Sequence, residues 1–247
     1  MLSYDQYGYA AVAALGTLIA VLAVHWLMGR SPFSAWTRSL SGVVAPFINV
    51  IGVLFALTLA FLANDTWTAH DRAMGAVLQE ADAIHSLQVL SEMQAPADRE
   101  RLQAAIADYA AAVVAEWPLL ARRSTDPAVG RSGDRLLSLA AGLAGGATQQ
   151  VMLQQVTALK ASRDLRIGLS QTHVNPLKWL GMAFLGLLTL VSVAVVHADH
   201  PRAALVGTVL FALAAAPTSV IVLVHGNPFQ PPSAVSPAAI AEGLRPQ

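Results

Sequence analysis

Residues 55–67, Phe55 to Trp67, read FALTLAFLANDTW. The stretch begins as uninterrupted membrane-type helix and ends on Asn64-Asp65-Thr66 with no turn residue between. A hydrocarbon core about 30 Å thick takes about 20 apolar residues to cross, and the charge-free run from about Val43 to Ala63 supplies them. No helix-breaking segment interrupts Ala63 to Leu90, so the helix is expected to run straight out of the bilayer and carry Asn64 and Asp65 at its exit. A charge at the bilayer centre costs roughly 2.5–3.5 kcal/mol on the insertion scale, which puts Asp65 at a rim.

Three further runs have the same character: about Tyr9 to Met28, closed by Gly29-Arg30; Leu177 to Val196, after the helix-breaking Asn175-Pro176; and about Ala203 to Val224, with Pro217 as a candidate kink. Asp199-His200-Pro201 makes a tight polar turn between the last two, which predicts an antiparallel hairpin. The composition agrees. Of 247 residues, 55% are hydrophobic and 12% charged, against about 25% charged in a typical soluble domain. The chain is expected to be an integral membrane protein that crosses the bilayer four times.

Between the second and third runs the character changes. Residues 65–176 hold ten Lys or Arg and twelve Asp or Glu, of 15 each in the whole chain. Met74, Val77, Leu78, Ala81, Ile84 and Leu87 keep helical spacing, as do Leu102, Ile106, Tyr109, Val113 and Trp117. Pro96 with Asp98 fits a helix start. Pro127, Gly130 and Gly133 read as a loop, Gly142 to Gly146 as another, and a polar helix of about Thr148 to Ser170 leads to the third span. The expected fold is all-α: transmembrane helices in 1–63, an extramembrane helical bundle in 64–176, a transmembrane hairpin in 177–225, and a Pro/Ser-rich tail in 226–247 with a short helix near Pro237 to Leu244. The first ten residues carry no Lys or Arg, unlike a cleaved signal peptide.

Orientation does not resolve. Arg30, Arg38 and Arg202 favour the short loops inside, whereas Arg72, Arg163, Arg166 and Lys178 lie near the membrane ends of the bundle. A net charge of zero gives no reason to expect nucleic acid as a partner. Without cysteine, disulfides and thiol chemistry are excluded. No metalloprotease, nucleophile-elbow, P-loop or dinucleotide motif occurs. His25, His197, His200 and His225 are scattered near span ends, where interfacial rings need no metal. Glu80 and Asp82, two apart, do not share a helix face. No enzyme, cofactor or metal site is expected.

At about 100° per residue the second span sorts into two faces. One carries Phe47, Ile51, Phe55, Thr58, Leu62 and Asp65. The other carries Asn49, Gly52, Ala56, Ala60, Ala63, Asn64 and Trp67. Either can be a packing face, small residues allowing close helix approach. Either can line a conduit gated by an apolar constriction. Four short spans give one copy little room to enclose a conduit, so a pore requires a ring of copies. The other expectation is a non-conducting scaffold or sensor whose bundle binds a protein partner.

Local strings carry a resemblance. Glu80-Ala81-Asp82-Ala83-Ile84, the segment from Tyr109 through Val113-Val114 to Glu116-Trp117-Pro118, Arg163 to Arg166, Asn227-Pro228-Phe229 and Val235-Ser236-Pro237 resemble motifs of the bestrophin-like domain family, over about Gly52 to Leu244. The resemblance implies a homo-oligomer in the bilayer, a pentamer by comparison with true bestrophins, set in a bacterial inner membrane and conducting small inorganic ions of unresolved sign. True bestrophins narrow at an apolar ladder on their second membrane helix, and Phe47, Ile51 and Phe55 are similar in spacing and character. They also bind calcium through an acidic cluster after the last span. Here the tail holds Glu242 alone, so calcium gating is not implied. The resemblance carries no functional residues over.

Overall fold

The structure, a computed structural model, describes residues 6–29, 31–32, 34–171, 176–231 and 233–242. Arg30, the break expected at Asn175 and the end of the tail helix at Leu244 lie outside the described residues. Among the described residues there are ten helices and no strand, so the all-α expectation holds. The chain forms two compact units: Met1–Trp67 with His173–Gly226, and Thr68–Thr172 with Asn227–Gln247.

The first unit contains α1 (Gln6–Gly29), the short α2 (Ser34–Ser39) and α3 (Ser41–Val44), the start of α4 (Ile48–Glu92), α8 (Pro176–Val196) and α9 (Pro201–Val224). α1 packs along α9, and α9 along α8. The sequence predicts a second span that is helical from Val43, but α4 begins at Ile48. Pro46 has no N–H to donate and its ring crowds the carbonyl four residues back, so the chain turns at 45–47 before the long helix starts. Phe47 is therefore outside α4, and its carbonyl accepts the Ile51 N–H at 3.0 Å. The hairpin turn is as expected. His200 donates its N–H to the His197 carbonyl at 3.0 Å, and Pro201 opens α9 where a missing N–H costs nothing. A Cβ on Gly207 would fall 2.9 Å from Val193 Cγ1, so glycine lets α9 approach α8 this closely. Pro217 does not end α9, which continues through it to Val224.

α4 is 45 residues long, about 67 Å at 1.5 Å per residue. It therefore has the uninterrupted course expected beyond Asp65. The second unit holds its later part with α5 (Pro96–Ala121), α6 (Pro127–Ala141), α7 (Ala147–Gln171) and α10 (Ala238–Glu242). Pro96 starts α5, and Gly142 to Gly146 separate α6 from α7, as expected. The loop expected at Pro127 to Gly133 is instead the first half of α6. Pro127 sits at the first helical position, and Asp126 caps the helix by accepting the Ala128 N–H at 2.8 Å. Gly133 lies on the buried side of this helix, where a Cβ would be in ordinary contact with α5 and α7, 3.5 Å from Tyr109 Cε2 and 3.7 Å from Lys160 Cγ. Ile84, Leu102, Ile106, Tyr109, Val113 and Leu159 form the core of this unit, each at most 2% exposed. The proline-rich tail contributes to the same core through Phe229, Val235 and Ile240.

Among the described residues, five helices are long and apolar enough to cross a membrane: α1, α4, α5, α8 and α9. α5 differs from the rest, with 44% of its most apolar stretch buried inside its own unit against 11–33% in the others.

Candidate functional site

The first part of α4 buries one face and leaves the other bare. Phe55, Leu59, Leu62 and Thr66 are buried, at 2–9% exposure. Their spacings of four, three and four keep them on one side of a helix. Phe55, Leu59 and Leu62 pack with Met182 of α8 and Val222 of α9. The Phe55 and Phe211 rings stand 5.4 Å apart, tilted at 56°. A Cβ on Gly186 would lie 3.1 Å from Phe55 Cε2, so that glycine makes the seat for the ring. The hydroxyls of Thr58 and Thr66 donate to the carbonyls of Leu54 and Leu62 in their own helix, at 2.8 and 3.0 Å.

The opposite side divides in two. Asn49, Ala56, Ala60 and Asn64 form an exposed strip of small and polar residues. Beside it lie large apolar residues: Leu54, Leu57 and Phe61 are 48%, 50% and 68% exposed. Of the first set of six conduit candidates, Phe55 and Leu62 point into the first unit, Ile51 and Thr58 are half-buried at the edge, and Phe47 is exposed in the turn before the helix. Asp65 is exposed, but its Oδ2 accepts from Lys178 Nζ of α8 at 2.7 Å. The two charges at this end of the span offset each other. The second set (Asn49, Ala56, Ala60, Asn64) comes together on one unpartnered strip, with Gly52 and Ala63 half-buried along its border and Trp67 exposed.

In the second unit the residues that carry the sequence motifs meet in one place. Glu80 of α4 and Arg166 of α7 are both fully buried, with Nε–Oε2 at 2.6 Å and Nη2–Oε1 at 3.0 Å. This two-pronged geometry matches a guanidinium fork to a carboxylate. Tyr109 donates its hydroxyl to Glu80 Oε1 at 2.7 Å. Burial, and then the Glu80 charge, raise the phenol's pKa far above its ordinary value. The Arg166 guanidinium lies 4.9 Å over the Trp117 ring, a cation–π arrangement. Trp117 Nε1 donates to the Val235 carbonyl at 2.8 Å, and the Phe229 ring meets Trp117 edge-on. One turn of α7 before Arg166, Arg163 Nη2 donates to Glu116 Oε1 at 2.6 Å, and Glu116 also accepts the Asp126 N–H at 2.9 Å. Asn227 holds the tail to α5 by donating to the Leu120 carbonyl at 3.2 Å.

These groups pair with one another inside a packed core, which makes them structural. Periodicity in the sequence marked the apolar neighbours but not this polar centre. Its directly bonded members are up to 118 positions apart, and the hints in the sequence were the motif strings and the charge at Glu80, Glu116, Arg163 and Arg166 on helices otherwise apolar on that side. Asp82, two residues from Glu80, is exposed. No group of three acidic or histidine side chains able to hold a metal ion occurs among the described residues.

The family described as "Bestrophin-like domain" matches residues 15–240 of the chain. Comparison with curated proteins found no match. Two solved structures share the fold. One is described as a membrane protein with a proline-to-alanine substitution, with TM-score 0.61 and 14% identity over 98% of this chain and 96% of that one. The other is a bacterial bestrophin homologue from Klebsiella pneumoniae with a leucine-to-threonine mutation, with TM-score 0.57 and 15% identity over 97% of this chain and 96% of that one.

Proposed function

The chain belongs to the bestrophin-like domain family of multi-pass membrane proteins, and on that premise we propose that copies of it form a ring in the cell membrane that conducts small inorganic ions. α1, the first part of α4, α8 and α9 are the four spans, and the charged second unit lies outside the hydrocarbon. α5 belongs with that unit despite its apolar length, because its apolar residues are buried there and it carries Glu116 at 1% exposure, paired to Arg163.

The observation that carries the proposal is the exposed strip of α4. Phe55 and Leu62 cannot face a conduit while α8 and α9 of the same protomer cover them. Asn49, Ala56, Ala60 and Asn64 are free to, and their small size leaves room for ions around an axis shared by several copies. A strip of small residues also lets helices of neighbouring copies approach closely. A ring of five is the number favoured by the family resemblance. The Asp65–Lys178 pair gives the mouth no net charge, so Asp65 does not by itself favour cations.

The native chain has no cysteine, which makes single-cysteine variants clean probes. With the protein in liposomes under a Cl⁻ or K⁺ gradient, a water-soluble charged thiol reagent should block flux through Ala60→Cys and leave Phe61→Cys unaffected. Block at Phe61→Cys with Ala60→Cys insensitive would put the large apolar strip on the conduit and refute this assignment. Absence of flux for either ion, from folded and inserted protein, would favour a non-conducting scaffold whose bundle binds a protein partner.

A further inference from the structure

We propose that the first unit contains a binding site for a single lipid acyl chain, supplied by a phospholipid or a free fatty acid. α1, α8 and α9 enclose a cavity of about 360 Å³ with Phe55 of α4 at its inner end. Its mouth is flanked by Val12 and Leu187, 69% and 49% exposed, and its depth by Phe55, Met182 and Leu190, 3–8% exposed. The cavity is thus a pocket running inward from the apolar perimeter of the unit, built by side chains from four helices.

The chemistry of the lining selects the occupant. No charged residue lines it, and its two hydroxyls are already spent. Thr17 donates to the Ala13 carbonyl at 2.8 Å and Ser219 to the Ala215 carbonyl at 2.9 Å, each within its own helix. Besides these hydroxyls the lining holds one side-chain donor, the Trp179 indole N–H, a poor match for a polar ligand, and water settles in a cavity only where it finds two or more polar partners. Left empty, the lining side chains forfeit their contacts on one side. At the depth of a membrane span the surrounding solvent is hydrocarbon, and the pocket opens onto it between exposed apolar side chains.

The tilted Phe55–Phe211 pair closes the inner end, and a second cavity of about 290 Å³ beyond it is lined by Ala56 and Ala60 of the exposed α4 strip. A chain seated in the first cavity braces the aromatic pair from behind. The site itself stands whether or not α4 lines a conduit.

The test uses the full-length protein in phosphatidylcholine liposomes. One sample carries a phospholipid with a photoactivatable diazirine at its acyl terminus, and the other carries the corresponding free fatty acid. After photolysis the labelled residues are mapped by peptide mass spectrometry. Met182, 6% exposed, should be labelled at least as strongly as the outward Leu180, 67% exposed, and the sample in which this occurs identifies the source of the chain. Gly16 lines the pocket and a Cβ built there meets nothing within 4 Å, so Gly16→Leu fills the space. That variant should lose Met182 labelling about fivefold or more and keep Leu180 labelling. Failure to label Met182 in the wild-type protein with either probe overturns the proposal. So does Met182 labelling that Gly16→Leu leaves unchanged. A wild-type pocket refractory to both probes, in a protein whose subunit number falls in Gly16→Leu, would show that a neighbouring copy fills the cavity instead.

Discussion

Replacing Arg166 by Met should destabilise the protein more than any surface substitution. The Arg166 and Glu80 side chains have no exposed surface, and two hydrogen bonds of 2.6 and 3.0 Å join them. Without the guanidinium, Glu80 keeps only the Tyr109 hydroxyl as a partner in a site that water does not reach. Removing one member of a buried pair costs about 3–5 kcal/mol, most of it the penalty of the charge left behind. Loss of the guanidinium from the face of Trp117 adds up to about 2 kcal/mol. At about 2–4 °C per kcal/mol for a chain of this size, a loss of about 3–7 kcal/mol should lower the apparent melting temperature by roughly 6–28 °C. Intrinsic fluorescence of the intact protein in detergent can follow the transition, because Trp117 sits in the affected core. Glu80→Gln should cost a similar amount, since it strands the guanidinium. The double variant R166M/E80Q removes both charges and should lose less than the sum of the two, with an interaction of about 2 kcal/mol or more. Single losses that add to within about 0.5 kcal/mol would refute the reasoning. Arg166 would then be held by its stack on Trp117, with the ion pair contributing little.

Three other outcomes follow from the same geometry. Tyr109 keeps its proton in the folded state well above pH 10, where the unfolded phenol ionises, so above pH 10 the folded state binds more protons. Stability should fall as pH rises from there, by up to about 1.4 kcal/mol per pH unit for this group; Tyr109→Phe should remove that slope in alkaline melts while costing about 1 kcal/mol at pH 7 through the lost bond to Glu80. Gly186→Ala places a methyl 3.1 Å from the Phe55 ring and should cost about 1–3 kcal/mol by overpacking, a loss that Phe55→Leu in the same chain should partly recover in melting experiments. Asp65→Asn leaves Lys178 unopposed and Lys178→Met leaves Asp65 unopposed, so their reversal potentials under a KCl gradient should shift in opposite directions, toward anions and toward cations. Shifts of the same sign, or none in either variant, would separate this pair from the ion path.

Local features of the sequence suffice for the helical class and for most element ends. Apolar runs of membrane length are visible without any partner, and helix limits follow from residues that act within one turn, such as Pro96, Pro201 and the Gly142 to Gly146 segment. Local logic fails where a residue's role depends on a distant neighbour. Gly133 resembles a loop residue until its helix packs it against Tyr109 and Lys160 of two other helices. Pro127 is a different case, a helix start whose cap, Asp126, is its immediate neighbour, so that the Asp-Pro pair is itself a local signal. The two faces of α4 are both apolar over the span, so hydropathy cannot rank them. The ladder of Phe47, Ile51 and Phe55 suggests a lining by its size and spacing. Yet large, shape-matched side chains are also the ones that helices bury against each other, and Phe55 meets Gly186 and Phe211, more than 130 positions further along the chain. Glu80, Tyr109, Trp117 and Arg166 likewise read as separate motif letters and become one buried network only when four segments converge. Which segments are helical and which are apolar is therefore written in the chain itself, because backbone hydrogen bonding and hydration act residue by residue. Which face is covered, and which charges neutralise each other, comes from packing alone, because burial and pairing belong to groups that the chain brings together from far apart.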